Sequence, residues 1–336
     1  MDIIKSIKKN TIVLLLITIL VLYFVLKDDF SGIVEALKNI NIIYILIGLV
    51  LYLLSVTLRG YVNYLIINDK EKISLKEAIK HNFIAQFFNG ITPFSTGGQP
   101  MEIYMIREHN ISIAKATNYT IQSFIFYQIA LVICGLFAVT YNFTFGIFPK
   151  VELLQHLVLL GFIINILVVL VLIAIAYSKK ATKFLSNIAI KSIKIVKKDV
   201  DENTIKNKFE DFYKCSQDLK NNKKLTIIGI LLNIISLSFL YAVPLLIIFS
   251  LGDFTSISLI KTITASAYVY LIGAFVPIPG ASGGMEYGYK EFYGNFLGSG
   301  PLAASLLLWR FITYYLGMIV GALLFSLEKK EDNKWE

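Results

Sequence analysis

The chain alternates between long apolar runs and short Lys-rich stretches. The runs cover Thr11–Leu26, Ile42–Ile67, Tyr119–Tyr141, His156–Tyr177, Leu225–Leu251, Ile257–Val276 and Leu302–Leu327. A helix needs roughly 20 residues to cross a hydrocarbon core about 30 Å thick, and most of these runs are that long. Inside hydrocarbon every backbone N–H and C=O must be satisfied within the protein, so a run of this kind is a helix. Composition agrees. Of 336 residues, 56% are hydrophobic and 16% charged, against about 45–50% and about 25% in soluble domains. The expected fold is an all-α polytopic membrane protein, a single membrane domain over residues 1–336 with room for about eight spans. An ordinary soluble enzyme, a disordered chain and a disulfide scaffold are excluded. The first run follows Lys5, Lys8 and Lys9 and precedes Lys27-Asp28-Asp29 with no small-residue cleavage site, so it reads as a retained helix.

Orientation follows from lysine. Residues 178–224 hold 13 lysines and 6 acids, a net +7. The N-terminus, residues 69–80 and the tail are also Lys-rich, whereas 27–41, 141–155 and 251–258 are not. The positive-inside rule places the first set, with both termini, in the cytoplasm of a bacterial (inner) membrane protein. Segment 178–224 reads as two amphipathic helices, one striped by Phe184, Ile188 and Ser192 or Ile195, the other by Ile205, Phe209, Phe212 and Leu219. The expected partner of this segment is the anionic inner leaflet. Nucleic acid is not expected, since the segment has no Arg.

Two stretches cannot be unbroken helices. Residues 81–107 contain Asn89-Gly90 and Pro93 to Pro100, and residues 258–296 contain Pro277-Ile278-Pro279-Gly280. The breaks share a pattern: Pro93-x-x-Thr96-Gly97-Gly98 and Pro279-x-x-Ser282-Gly283-Gly284, the two Gly-Gly pairs of the chain, each followed by Met-Glu (Met101-Glu102, Met285-Glu286). The order span, broken segment, span occurs twice, over about 42–141 and about 225–327, and the lysine bias gives the two units opposite orientation. The expectation is an inverted repeat with two re-entrant segments around a central cavity, the strongest sequence pointer to a transport site. A half-helix starting after each Gly-Gly aims its N–H groups and dipole into that cavity, which favours an anion, with phosphate the natural candidate in a bilayer. Thr96 and Ser282 are expected to cap these half-helices or to donate to the ligand.

The three arginines, Arg59, Arg107 and Arg310, all lie in or beside apolar segments, where a planar guanidinium suits phosphate. The expected substrate-binding residues are Arg59, Pro93, Thr96, Gly97, Gly98, Glu102, Arg107, Pro279, Ser282, Gly283, Gly284, Glu286 and Arg310. Glu102 and Glu286 could pair with the bases or carry a coupling proton. No catalytic residue, metal site or cofactor is expected: there is no His-Glu-x-x-His, P-loop or dinucleotide fingerprint, and Cys134 and Cys215 stand apart. Gly280-Ala281-Ser282-Gly283 looks like a serine-protease motif, but no His follows His156.

At Phe88-Asn89-Gly90-Ile91-Thr92-Pro93 through Gly97-Gly98, with Arg107 behind, and at Pro277 through Glu286, the chain resembles the transmembrane flippase-like region of the lysylphosphatidylglycerol synthase/flippase family. It looks like the stand-alone form without the soluble transferase domain. The resemblance implies a lipid translocase with two re-entrant helices around a headgroup cavity. Gly-Ala-Ser-Gly-Gly-Met-Glu-Tyr replaces the Gly-Gly-x-Gly-x-x-Glu of many relatives, which leaves the headgroup open. The expected function is translocation of an anionic or aminoacylated, phosphatidylglycerol-type phospholipid between leaflets. Two alternatives stand beside it: a phosphatidylglycerol lysyltransferase or membrane subunit of a lipid-modifying enzyme, and an ion-coupled transporter of a small anion. A separate lipid-modifying enzyme is a candidate partner.

Overall fold

The structure is a computed structural model that describes residues 30–148, 152–196 and 201–332. The apolar run Thr11–Leu26 lies outside the described residues. Everything regular within them is helical: α1 (Phe30–Lys38), α2 (Ile42–Ile67), α3 (Leu75–Gly90), α4 (Gly98–Arg107), α5 (Ile113–Phe145), α6 (Glu152–Tyr177), α7 (Lys179–Val196), α8 (Glu202–Asn221), α9 (Lys223–Ser250), α10 (Leu259–Gly273), α11 (Gly284–Tyr293), α12 (Ser299–Arg310) and α13 (Leu316–Asp332). A π-turn over Phe311–Tyr315 joins α12 to α13 without ending the helix.

Side chains start these helices where the sequence supplies them. Asn41 caps α2, Ser112 caps α5, Asn222 caps α9 and Ser258 caps α10, each accepting from a backbone N–H two or three residues on. Ser74 and Glu77 form a reciprocal capping box at α3. α5 ends on Gly146 in the left-handed conformation (φ 57°), which glycine adopts without steric cost.

Among the described residues, five helices are long and apolar enough to cross a membrane: Ile42–Ile67, Ile113–Phe145, Leu153–Tyr177, Lys223–Ser250 and Ser299–Glu328. About eight were expected, and one of them, Thr11–Leu26, lies outside the described residues. The rest of the difference has a physical cause. The run Ile257–Val276 is only 15 residues of helix before Pro277 and Pro279 end it, and residues 81–107 are divided between α3 and α4.

The spans α2 and α9 lie side by side at the centre. Ser236 donates to the Ser55 carbonyl (2.9 Å) and the two hydroxyls meet at 3.1 Å, both buried. α3 comes close to α2 at Gly60, where a Cβ would strike the Ile79 backbone. Beyond this pair the packing is crossed. The broken helix α3 lies against the last span, α13, and the broken helix α10 lies against α5. The two 3₁₀ turns that follow α3 and α10 touch each other.

The basic segment forms α7 and α8, and the two differ. α8 turns its stripe onto the protein. Phe212 and Ser216 are buried, Asn118 of α5 donates to the Phe212 carbonyl (3.0 Å) and also to Ser216 Oγ, and Gln217 donates to the Tyr177 carbonyl. α7 leaves Phe184 and Ile188 exposed, with Lys180, Lys183 and Lys191 also outward. Hydrogen bonds from Lys194 and Lys206 hold the Glu202 carboxyl down at about 2.

Candidate functional site

The two breaks start with the same local geometry and part just after the turn, where Gly97 is right-handed (φ −77°) and Gly283 left-handed (φ 88°). Each opens with a 3₁₀ turn led by proline, Pro93–Ser95 and Pro279–Ala281. In each, the second and third residues are left-handed: Phe94 (φ 54°) and Ser95 (φ 52°), Gly280 (φ 65°) and Ala281 (φ 51°). In each, the hydroxyl three residues after proline donates back to the proline carbonyl, Thr96 to Pro93 and Ser282 to Pro279, both at 3.0 Å. A ten-residue helix follows in both cases, α4 and α11. Thr96 and Ser282 therefore close the turns, and capping falls to other residues. Backbone N–H groups freed by a break must find partners, and here they do. Thr92 Oγ1 accepts from Gly97 N–H and Asn89 Oδ1 from Gly98 N–H, both at 2.8 Å, while Glu286 Oε2 accepts from Gly283 N–H at 2.6 Å.

At the second break the chemistry is closed. Glu286 is the third helical residue of α11, so its carboxylate reaches back to the cap and forward to Arg310, whose Nε donates to Oε1 at 2.6 Å. The Arg310 guanidinium also donates to the Gly280 carbonyl at 3.1 Å, and both charged side chains are more than nine-tenths buried. A buried charge persists when it is paired and hydrogen-bonded, as here. Tyr314 ties the breaks together. Its hydroxyl donates to the Gly90 carbonyl at 2.8 Å, and its ring occupies the space a Cβ on Gly280 would need. The π-turn changes the angular spacing of the residues that follow Arg310, among them Tyr314.

At the first break the chemistry is open. Two extra residues, Gln99 and Pro100, separate Gly98 from Met101-Glu102. At about 100° per residue this shift turns Glu102 through roughly 200° relative to Glu286. Glu102 caps nothing and instead lines a polar cleft between α2, α3, α4, α5 and α9. Its walls include Arg59, Asn63, Asn89, Gln99, Thr120 and Tyr127. Asn63 donates to Glu102 Oε1 (3.2 Å) and accepts from Ser123. The Arg59 guanidinium lies over the Tyr127 ring, 4.4 Å from its centroid, and has no carboxylate within 4 Å among the described residues. Thr120 is buried (3% exposed), lines the cleft, and its hydroxyl has no partner among the described residues. Pro100 has no N–H and the N–H groups of Gly97 and Gly98 are taken, so among the described residues Gln99 offers the free first-turn donor of α4.

The structure thus distributes the sequence-derived residues unequally. Arg59, Gly98 and Glu102 share one cleft. Pro279, Ser282, Gly283, Gly284, Glu286 and Arg310 build the second break, whose turn touches the turn Pro93–Ser95 of the first, with Thr96 and Gly97 following it. Arg107 is not brought to either. It is exposed at the far end of α4, nine residues from Gly98, about 13 Å along the helix axis. Asn63, Asn89, Gln99, Thr120, Tyr127 and Tyr314 were not singled out from sequence. The signal available for several of them was polarity inside apolar runs, which is costly in hydrocarbon and needs a reason.

Comparison with known proteins agrees with this architecture. A UPF0104 membrane protein of Archaeoglobus fulgidus is 21% identical over 261 residues, which is 75% of this chain and 76% of that protein. The family described as the lysylphosphatidylglycerol synthase TM region matches residues 11–321. On that match, covering nearly the whole length, the chain belongs to the lysylphosphatidylglycerol synthase transmembrane-region family, a family of multi-pass membrane proteins.

Proposed function

We propose that this protein moves a phospholipid with an anionic or aminoacylated, phosphatidylglycerol-type headgroup between leaflets, and that the headgroup enters at the first helix break. The observation that carries this reading is the cleft beside α4. Among the described residues it holds an arginine without an ion pair, a buried hydroxyl without a partner and the open end of a half-helix, all inside a bundle of apolar spans. Arg59 is the counter-charge for the phosphate. Arg310, held by Glu286, fixes the second break and helps seat the two turns against one another.

In this reading the units 42–141 and 225–327 are inverted repeats and each broken segment enters and leaves the membrane on one side. The crossed packing of α3 on α13 and α10 on α5 is what two-fold-related halves would give. The Lys-rich loops and both termini face the cytoplasm of the bacterial cell membrane, and Phe184 and Ile188 of α7 dip into the anionic inner leaflet between lysines. Rocking of the halves about the touching turns passes the headgroup while the acyl chains stay in lipid.

The test is leaflet exchange of fluorescent phosphatidylglycerol in proteoliposomes, read by dithionite quenching. Arg59→Gln is expected to slow exchange at least about tenfold, the loss of one charge-assisted contact of about 1.5–3 kcal/mol. Exchange at the wild-type rate in Arg59→Gln, or no exchange in the wild type, defeats the reading. A new lysyl lipid in a host lacking one would favour the transferase alternative instead.

A further inference from the structure

We propose that the cleft takes up one proton with each lipid phosphate it binds, and that Glu102 is the residue that carries it. This rests on the headgroup reading above and adds to it the source of coupling. The Met-Glu repeat offers two carboxylates at corresponding places, and the structure separates them. Both oxygens of Glu286 are engaged, one by Arg310 Nε and the other by Gly283 N–H, each at 2.6 Å. That carboxylate is part of the fold. Glu102 receives one neutral donor, the Asn63 amide, on Oε1.

The charges around Glu102 are few. α2 contributes Arg59, and α5 contributes Tyr127, whose ring is already stacked on Arg59. α3 and α9 contribute the amides of Asn82, Asn89 and Asn233. His81 of α3 is not part of the cleft wall and lies tilted against His109, ring centroids 5.4 Å apart. Among the described residues the cleft's own charges therefore sum to zero: one guanidinium and one carboxylate. A phosphodiester adds one negative charge and occupies Arg59, the one cation among the described residues that line the cleft beside Glu102. The cleft is then left with a net −1 in surroundings of low dielectric, where like charges repel strongly. Protonation of Glu102 restores neutrality. By linkage the effect is reciprocal: phosphate binding favours the proton, and the proton favours phosphate. The Ser123 to Asn63 to Glu102 hydrogen-bond chain keeps the carboxyl oriented in either state. The Thr120 hydroxyl, lacking a partner among the described residues, and Gln99, whose N–H lies in the first turn of α4, line the cleft where the phosphate oxygens would sit.

The experiment uses the whole protein in a neutral detergent with dihexanoyl-phosphatidylglycerol as probe. Titration calorimetry in two buffers of different ionisation enthalpy counts the protons exchanged per lipid bound. The wild type is expected to take up close to one proton per lipid over the pH range in which free Glu102 is ionised. Its apparent Kd should rise there by up to about tenfold per pH unit. In Glu102→Gln the uptake and the pH dependence of Kd should both vanish. Should that variant fail to fold, the infrared carboxyl band of the wild type gives the same information: a protonated C=O stretch must grow as lipid is added. Glycerophosphoglycerol, the same phosphodiester without acyl chains, forms the second arm. Uptake with the water-soluble compound alone would uphold the coupling and overturn the lipid as ligand. Binding of phosphatidylglycerol without proton exchange, or uptake that persists in Glu102→Gln, would overturn this inference and leave the headgroup site standing. No binding of either probe would overturn both.

Discussion

The two helix breaks are built from the same turn and put to opposite uses. Each has proline at the start, two left-handed residues, a hydroxyl bonded back to the proline carbonyl and a ten-residue helix after Gly-Gly. What separates them is the insertion of Gln99 and Pro100. Without it, Glu286 sits at the third helical position, caps its own helix and holds Arg310 in the interior. With it, Glu102 is swung to the other side of α4 and the cap passes to Asn89 and Thr92. A carboxylate freed from structural work faces a cleft, and the arginine opposite it is freed as well. On the proposed reading, a two-residue change in spacing decides which of the two breaks is scaffold and which is site.

The largest test of that division removes one member of the buried pair. Arg310→Ala or Glu286→Gln leaves an uncompensated charge or an unmet guanidinium inside the bundle, and should cost about 3–5 kcal/mol. Thermal unfolding in detergent should show a clear fall in midpoint for either variant. Glu102→Gln should unfold within a few degrees of wild type, because the amide oxygen can still accept from Asn63 and Arg59 keeps its contact with the Tyr127 ring. Equal losses at both glutamates would end the distinction drawn here.

The left-handed turn residues sharpen the comparison at an intermediate scale. Gly280 is buried against the Tyr314 ring, and its φ of 65° is strained for any side chain. Gly280→Ala should destabilise by about 1–3 kcal/mol through overpacking and backbone strain. Phe94 occupies the corresponding place with φ 54° but is 56% exposed. Phe94→Gly relieves the steric cost of a left-handed side chain and should be neutral or stabilising by up to about 1 kcal/mol. Next in size is Asn89→Ala. It uncaps Gly98 and should cost about 1 kcal/mol of the kind lost with other caps. Hydrogen exchange at the start of α4 should quicken, with no change at α11.

Much of the scaffold was legible in the order of residues. The start and end of α2, Ile42 and Ile67, coincide with the edges of an apolar run, and proline with Gly-Gly marked both turns. Proline fixes φ locally and Gly-Gly cannot extend a helix well, so these signals need no partner to act. The division of labour was not legible, because it is made by contacts distant in sequence. Glu286 meets Arg310 24 residues later, Asn63 meets Glu102 across 39, and Tyr314 reaches Gly90 across 224. Nothing local distinguishes Arg310, which is paired, from Arg59, which has no ion pair among the described residues. Spacing alone carried a hint: Glu lies two residues after the second Gly-Gly and four after the first. Only two residues after Gly-Gly can a glutamate reach back to cap. The same reasoning explains Thr96 and Ser282. Each hydroxyl is local to a proline carbonyl three residues back, and that short bond wins over the more distant helix cap.

The smallest expected effect concerns how the two halves are joined. Tyr314 donates to the Gly90 carbonyl from a π-turn and packs its ring on Gly280, so one side chain belongs to both breaks. Tyr314→Phe keeps the ring and removes a single neutral hydrogen bond, worth about 0.5–1.5 kcal/mol. Stability should fall only slightly. If the touching turns are the pivot about which the halves rock, loosening this link should alter the rate of lipid exchange more than the unfolding midpoint, because it acts on the junction and not on either half. If they are a rigid seam, stability and exchange should shift together or not at all. Measured against Arg59→Gln, which acts on the cleft alone, the Phe variant would show whether the first break moves independently of the second or only in concert with it.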